Sequence, residues 1–211
     1  MTKPIIALDA DNVLLDYSTA YAMAWERAFG WHPVERDPTA YWPSDRWDVT
    51  WLSGEPMKRF RACFDVKFWS TIPAVEGALE GCKELHDAGF ALVCVSALEF
   101  EYEAARLDNL RAHGFPIERV VATGFAASTV NPKASALAEV DPIAFVDDYL
   151  PYLRGLKPSI HTALVLGRPT GSPNVGGGLA TVGSQHVDLR AFSRWWLHSG
   201  DADLHRITRN R

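Results

Sequence analysis

Short, wholly apolar runs that stop abruptly at polar residues are the strongest constraint on how this chain folds. IIAL (5–8), ALVCV (91–95), VVA (120–122), IAFV (143–146) and ALVL (163–166) show none of the alternation of a half-exposed strand. A strand that is apolar on both faces must be covered on both, which is the condition of a strand inside a parallel sheet. Between the runs the period changes. Val75, Ala78, Leu79, Cys82 and Leu85 follow helical three-and-four spacing, with Gly89 as a stop, and Phe100, Ala104, Leu107 and Leu110 repeat it before Gly114. Strands alternating with amphipathic helices predict an α/β fold, a Rossmann-like, mainly parallel sheet sandwiched by helices.

One stretch breaks the alternation. Residues 17–73 carry helical segments but no buried strand, so the expected organisation is an α/β core of residues 1–16 and 74–211 with a small helical insertion between them. Tyr21, Ala24, Trp25, Ala28 and Phe29 form one helical stripe ending at Gly30, and the rest is rich in tryptophan: Trp31, Trp42, Trp47, Trp51 and Trp69. Large aromatics ordinarily fill a core. Trp42 and Trp47 are the candidates for lining a substrate pocket instead. Residues 167–184 are glycine-rich but lack the GxxxxGK[ST] phosphate-loop pattern, and read as a mobile surface loop before a last helix near 189–197. Trp195 and Trp196 are expected to pack that helix on the sheet.

Several classes of function are excluded or disfavoured. A net charge of −5 without a dense Lys/Arg run gives no footprint for nucleic acid or an anionic membrane surface. No apolar stretch approaches a membrane span, and the N-terminus turns acidic too soon for a signal peptide. Cys63, Cys82 and Cys94 have no metal-ligand spacing and read as buried free thiols, and the seven histidines show no zinc pattern. A cytoplasmic protein acting on a small solute, as a monomer or homodimer, is the expectation.

Parallel sheets bind ligands at the carboxyl ends of their strands. Asp9 and Asp11 follow the first run, Ser96 the second, and Asp147 and Asp148 the fourth. One carboxylate can attack phosphorus and split a difficult displacement into two steps; another can protonate the leaving oxygen and later deprotonate water. Repulsion between carboxylates and phosphate then has to be offset by a cation. Asp147 and Asp148 offer the oxygen donors that Mg²⁺ prefers, Lys133 supplies a fixed positive charge, and Ser96 can donate to a phosphoryl oxygen. Any one of these aspartates alone would be read as a cap or turn residue. Their order and strand context give them a shared meaning.

Asp9-Ala10-Asp11-Asn12-Val13 resembles the DxDx[T/V] first motif of the haloacid dehalogenase-like (HAD-like) hydrolases, Ser96 the Ser/Thr of their second motif, Lys133 the third-motif lysine and Asp147-Asp148 the acidic fourth motif. The resemblance runs from Ile5 to about Leu166. It implies a HAD-like fold with a short C1-type cap at residues 17–73. It also implies Asp9 as nucleophile and metal ligand, and Asp11 as general acid/base that binds Mg²⁺ through its backbone carbonyl. Asp147 would complete the metal site with Asp148 assisting. The dehalogenases of the family lack an acid at the position of Asp11, because a carbon–halogen bond needs no protonation of its leaving group. The implied function is therefore a Mg²⁺-dependent phosphatase acting on a small phosphorylated metabolite. A phosphotransferase or phosphomutase of the same fold, and a non-catalytic binding protein on the scaffold, remain open. Ala97-Leu98-Glu99 departs from the small polar or glycine residues common after the second motif.

Overall fold

A computed structural model describes residues 3–125 and 131–208, with side chains of the last helix considered as far as His198. The apolar runs become β1 (Ile5–Leu8), β2 (Ala91–Ser96), β3 (Ile117–Ala122), β4 (Ala144–Asp147) and β5 (His161–Val165), joined by β6 (Ser184–His186) at the edge. All six are parallel, in the order β3-β2-β1-β4-β5-β6. Every residue of β2 and β4 is buried, as two-sided coverage requires. The sixth strand was not expected, because its Ser-Gln-His sequence has no apolar signal and it pairs with β5 alone.

Helices α5 (Ala78–Asp87), α6 (Glu103–Ala112), α7 (Ala134–Val140) and α8 (Leu189–Thr208) connect and cover the strands. One face of the sheet packs a cluster that includes Ile6, Leu8, Leu92, Cys94, Leu110 and Phe192; the other packs Ala7, Val93, Leu137, Phe145 and Leu164. Burying each of the larger side chains completely contributes roughly 1.5–3 kcal/mol. The tryptophans of α8 behave as expected: Trp196 is buried, and both it and Trp195 pack on His161 of β5. All three cysteines are buried free thiols.

The register of α6 differs from the spacing read in the sequence. Its buried residues are Ala105, Arg106, Asn109 and Leu110, whereas Phe100 and Ala104 are exposed. The helix has turned two polar side chains inward, and each donates to a long-range partner, Arg106 to the Asp11 carboxylate and Asn109 to the Ile72 carbonyl.

Between β1 and β2 the chain forms α1 (Tyr17–Phe29), α2 (Pro43–Arg46), α3 (Gly54–Arg61) and α4 (Val66–Trp69). Asp16 caps α1, its carboxylate accepting from the Thr19 backbone N–H at 3.1 Å. The chain leaves and re-enters the sheet through two adjacent segments, held by Asp16 N–H to the Pro73 carbonyl at 2.7 Å and Val75 N–H to the Leu14 carbonyl at 2.9 Å. Tyr17, Tyr21, Trp25, Phe60, Phe64, Phe68 and Trp69 pack edge-to-face and tilted among themselves. This aromatic cluster is continuous with the core beneath β1.

The glycine-rich segment also departs from expectation. Rather than standing free, it is tied down at three points. Arg168 donates to Asn12 Oδ1 at 2.7 Å and Asp16 Oδ1 at 2.6 Å, Tyr41 N–H donates to the Thr170 carbonyl at 2.9 Å, and the Asn174 amide donates to the Asp148 carbonyl at 2.6 Å. Among the described residues, no helix is long and apolar enough to cross a membrane.

Candidate active site

Strand order reverses between β1 and β4, and the residues just beyond those two strands face one crevice. Asp9 follows β1 and is anchored by its N–H to the Val146 carbonyl at 2.8 Å. Asp147 ends β4 and Asp148 follows it. One oxygen from each of Asp9, Asp147 and Asp148 can be chosen so that all three lie within 4.8 Å of one another. Such a set of hard oxygen donors suits Mg²⁺. It also has an excess of negative charge: burial first, then Asp147 and Asp9, hold the Asp148 carboxyl well above its ordinary range. Burial pushes Asp147 up to about 7 despite Lys133. The residues present therefore fit a divalent cation.

Lys133 is fully buried and donates from Nζ to Asp9 Oδ1 at 2.6 Å and to Asp147 Oδ2 at 2.7 Å. Local structure positions it at the start of α7. Its N–H is held by Asn131 Oδ1 at 2.9 Å, and Asn131 is itself fixed through its amide to the carbonyls of Tyr152 and Arg154. Burial disfavours the ammonium, but the two carboxylates outweigh it and raise the Lys133 pKa above its ordinary value. The pairing favours the ammonium form.

Asp11 lies outside the three-carboxylate group; the backbone carbonyl contact implied by the resemblance does not involve its side chain. Its carboxylate meets the buried guanidinium of Arg106, with Nη1 at 2.8 Å from Oδ1 and Nη2 donating to Oδ2 at 3.1 Å. Arg106 lies over the Trp69 ring, 5.0 Å from its centroid. Burial raises the Asp11 pKa, Arg106 opposes the shift, and Asp9 adds to it, leaving a net rise. A raised carboxyl is a better proton donor near neutral pH. Ser96, the last residue of β2, is buried and lines the same crevice, and its hydroxyl has no hydrogen-bond partner among the described residues.

The structure thus brings together all six residues expected from sequence: Asp9, Asp11, Ser96, Lys133, Asp147 and Asp148. It adds others. Asn12 has φ 61° and sends its amide to Asp148 Oδ2 at 3.0 Å; asparagine tolerates this left-handed conformation better than most residues. Tyr41 lines the same crevice, where burial first, and then the Asp148, Asp147 and Asp9 carboxylates, raise the pKa of its hydroxyl. Arg106, Asn174 and Arg168 were missed, since an isolated arginine or asparagine gives no periodic signal. The nearest hint was Arg106 and Asn109 standing three apart, beside Leu110.

Asp9, Asp11, Ser96, Lys133 and Asp148 open into a cavity of about 330 Å³, whose walls include Tyr17, Tyr41, Trp42, Trp69, Phe125, Tyr149 and Tyr152. Trp42 lines it, as anticipated. Trp47 does not: its ring is buried and its Nε1 donates to the Ser18 carbonyl at 2.8 Å, the kind of partner a buried indole N–H usually finds.

The parallel six-stranded sheet, with its helices and crossing point, is the haloacid dehalogenase-like fold. Similar solved structures include a HAD family hydrolase from Deinococcus radiodurans R1 with bound phosphate and sodium, at 16% identity and TM-score 0.61, covering 93% of this chain and 96% of that one. A protein described as a predicted phosphatase from Clostridium acetobutylicum matches at 13% identity and TM-score 0.59, covering 93% and 99%. A defluorinating L-2-haloacid dehalogenase matches at 11% and 0.56, covering 91% and 94%. No protein-family model matches the chain, and no curated protein matches it in sequence.

Proposed function

We propose that the protein is a Mg²⁺-dependent phosphohydrolase that acts on a small phosphorylated metabolite through an aspartyl-phosphate on Asp9, with residues 17–73 serving as its cap. The observation that carries this reading is Lys133 buried between Asp9 and Asp147, with Asp11 two residues beyond the nucleophile and all but Asp147 reaching one cavity.

Asp9 attacks phosphorus, and the bond to the ester oxygen breaks. The departing oxygen takes its proton from Asp11, whose raised pKa suits the task. Asp11, now a carboxylate, takes a proton from the water that attacks the phosphoryl-aspartate; phosphate leaves and Asp9 is regenerated. Arg106 orients Asp11 throughout. Lys133 offsets the charge that would keep Asp9 away from an anion, and the Ser96 hydroxyl is available to a phosphoryl oxygen. Asp9, Asp147 and Asp148, with the Asp11 carbonyl, would hold Mg²⁺, which supplies the remaining positive charge for the phosphoryl oxygens.

The test is release of inorganic phosphate from a generic aryl phosphate, with and without Mg²⁺, by the wild type and by Asp9→Asn. Activity is expected only with Mg²⁺ and only with Asp9 intact; equal rates for D9N would refute the mechanism. Appearance of the phosphoryl group on a sugar hydroxyl instead of in water would replace hydrolysis with transfer.

A further inference from the structure

The cavity's lining is of two chemical kinds, which meet where Lys133 Nζ lies 4.8 Å from the Tyr152 ring centroid. Asp9, Asp11, Asn12, Ser96, Lys133 and Asp148 form the reactive end, and the remaining lining is almost entirely rings. Two of these lining rings are also exposed to solvent, Trp42 at 46% and Phe125 at 61%. They come from unrelated parts of the chain, one just before α2 and the other after β3. Trp42 is held edge-on by Tyr41, with centroids 4.9 Å apart, and Tyr149 meets Tyr152 in the same way at 4.8 Å. Exposed aromatics that gather around a cavity from separate elements lower their hydration cost when a flat apolar group enters between them.

The charges restrict the ligand further. Among the described residues, Lys133 is the one cation lining the cavity, and both of its hydrogen bonds go to carboxylates. A second phosphate on the substrate would find no further cation among the described lining residues. Outside the reactive residues, a sugar presenting only hydroxyls would find few polar side-chain groups in the lining besides tyrosine hydroxyls and the Trp42 and Trp69 indole N–H groups. The volume, about 330 Å³, lies at the compact end of small-molecule sites, which run from roughly 300 to 1,000 Å³.

We propose that this cavity selects phosphate monoesters whose alcohol portion carries a planar unsaturated ring and no second phosphate, a chemistry supplied by nucleoside monophosphates and by smaller heteroaromatic alcohol phosphates. The proposal rests on the phosphohydrolase reading for its turnover arm and stands separately in its binding arm. Stacking on one aromatic side chain is sequence-tolerant among bases, so preference for the ring is expected without strong preference between bases.

The experiment uses the full chain with Mg²⁺. Hydrolysis is measured for the four nucleoside 5′-monophosphates, a heteroaromatic alcohol phosphate, ribose 5-phosphate and a nucleoside diphosphate. Binding of the same compounds to D9N is followed by calorimetry. Ring-bearing monophosphates should exceed ribose 5-phosphate in kcat/KM by about 5- to 150-fold, the range that stacking a single base supplies. Trp42→Ala should collapse that ratio mainly through KM, and Trp42→Phe should restore most of it. Preference for the nucleotides or for the smaller ring phosphate identifies the source. Turnover in which ribose 5-phosphate or the diphosphate equals the ring-bearing monophosphates overturns the proposal and leaves the phosphohydrolase reading standing. Ring-selective, Trp42-dependent binding without turnover of any phosphate refutes that reading and supports the selectivity. Absence of both refutes both.

Discussion

Lys133→Met isolates the electrostatics on which the site depends. The substitution keeps an unbranched side chain of similar size, so the packing change is small, and it removes the cation that hydrogen-bonds both Asp9 and Asp147. Those carboxylates, together with Asp148, are then left buried with no compensating charge from the lysine. Breaking a buried ion pair by deleting one partner costs about 3–5 kcal/mol. For a chain of this length, with about 2–4 °C of melting temperature per kcal/mol, the metal-free variant should melt roughly 6–20 °C below wild type. The sign with pH follows from the carboxyls. Burial already pushes Asp147 up to about 7, and losing Lys133 raises it further, so the variant regains stability by taking up protons as pH falls. The deficit should be largest near about pH 8 and smaller near about pH 5.5. Mg²⁺ should recover part of it by mass action, about 2.7 kcal/mol at one hundred times its dissociation constant. Urea unfolding followed by tryptophan fluorescence at both pH values, with and without Mg²⁺, reads all three effects. A metal-free loss below about 1 kcal/mol near pH 8, comparable to an ordinary surface substitution, would refute the account of Lys133 as the charge that makes the cluster tolerable.

The wild-type protein should show a related dependence without metal. Because Asp147 and Asp148 are held above their ordinary range, the folded chain keeps protons that the unfolded chain has lost between about pH 4 and pH 7, so stability should fall as pH rises through that window. Mg²⁺ should release protons on binding and raise the melting temperature more as pH increases; calorimetry in buffers of different ionisation enthalpy checks the release. Asp11→Asn should lower kcat by about 10²- to 10⁴-fold on alkyl phosphates, and much less on a nitrophenyl ester whose leaving group needs no proton. Equal losses on both would remove Asp11 from the proton-transfer role. Arg106→Met should cost about 3 kcal/mol in urea unfolding and shift the alkaline limb of the kcat–pH profile upward, since the guanidinium restrains the Asp11 pKa. An unmoved limb would make Arg106 purely structural.

Much of the framework was legible because it depends on local patterns. An apolar run without alternation has to be covered on both sides, and that alone places IIAL and IAFV inside a parallel sheet with Asp9 and Asp147 at their carboxyl ends. Where strand order reverses, those two ends face each other, so a spacing of two residues in Asp9-Ala10-Asp11 and the adjacent pair Asp147-Asp148 was enough to anticipate one crevice.

Other features arise only when distant segments meet. Arg106 is stable in the interior because Asp11, 95 positions earlier, offsets its desolvation and Trp69 covers its face. Arg168 and Asn174 turn a glycine-rich stretch into part of the site by satisfying groups on the β1 and β4 loops, and that pairing has no periodicity to read. Trp42 and Trp47 have the same side chain, five positions apart. One lines the cavity, and the other is buried with its N–H donated to the Ser18 carbonyl, a contact between positions 29 apart. Local sequence fixes which residues avoid water and where strands end. Which charged groups lie inside follows from the partner each one meets after folding, as Arg106 meets Asp11 and Lys133 meets Asp9 and Asp147, because burying a charge without such a partner is costly.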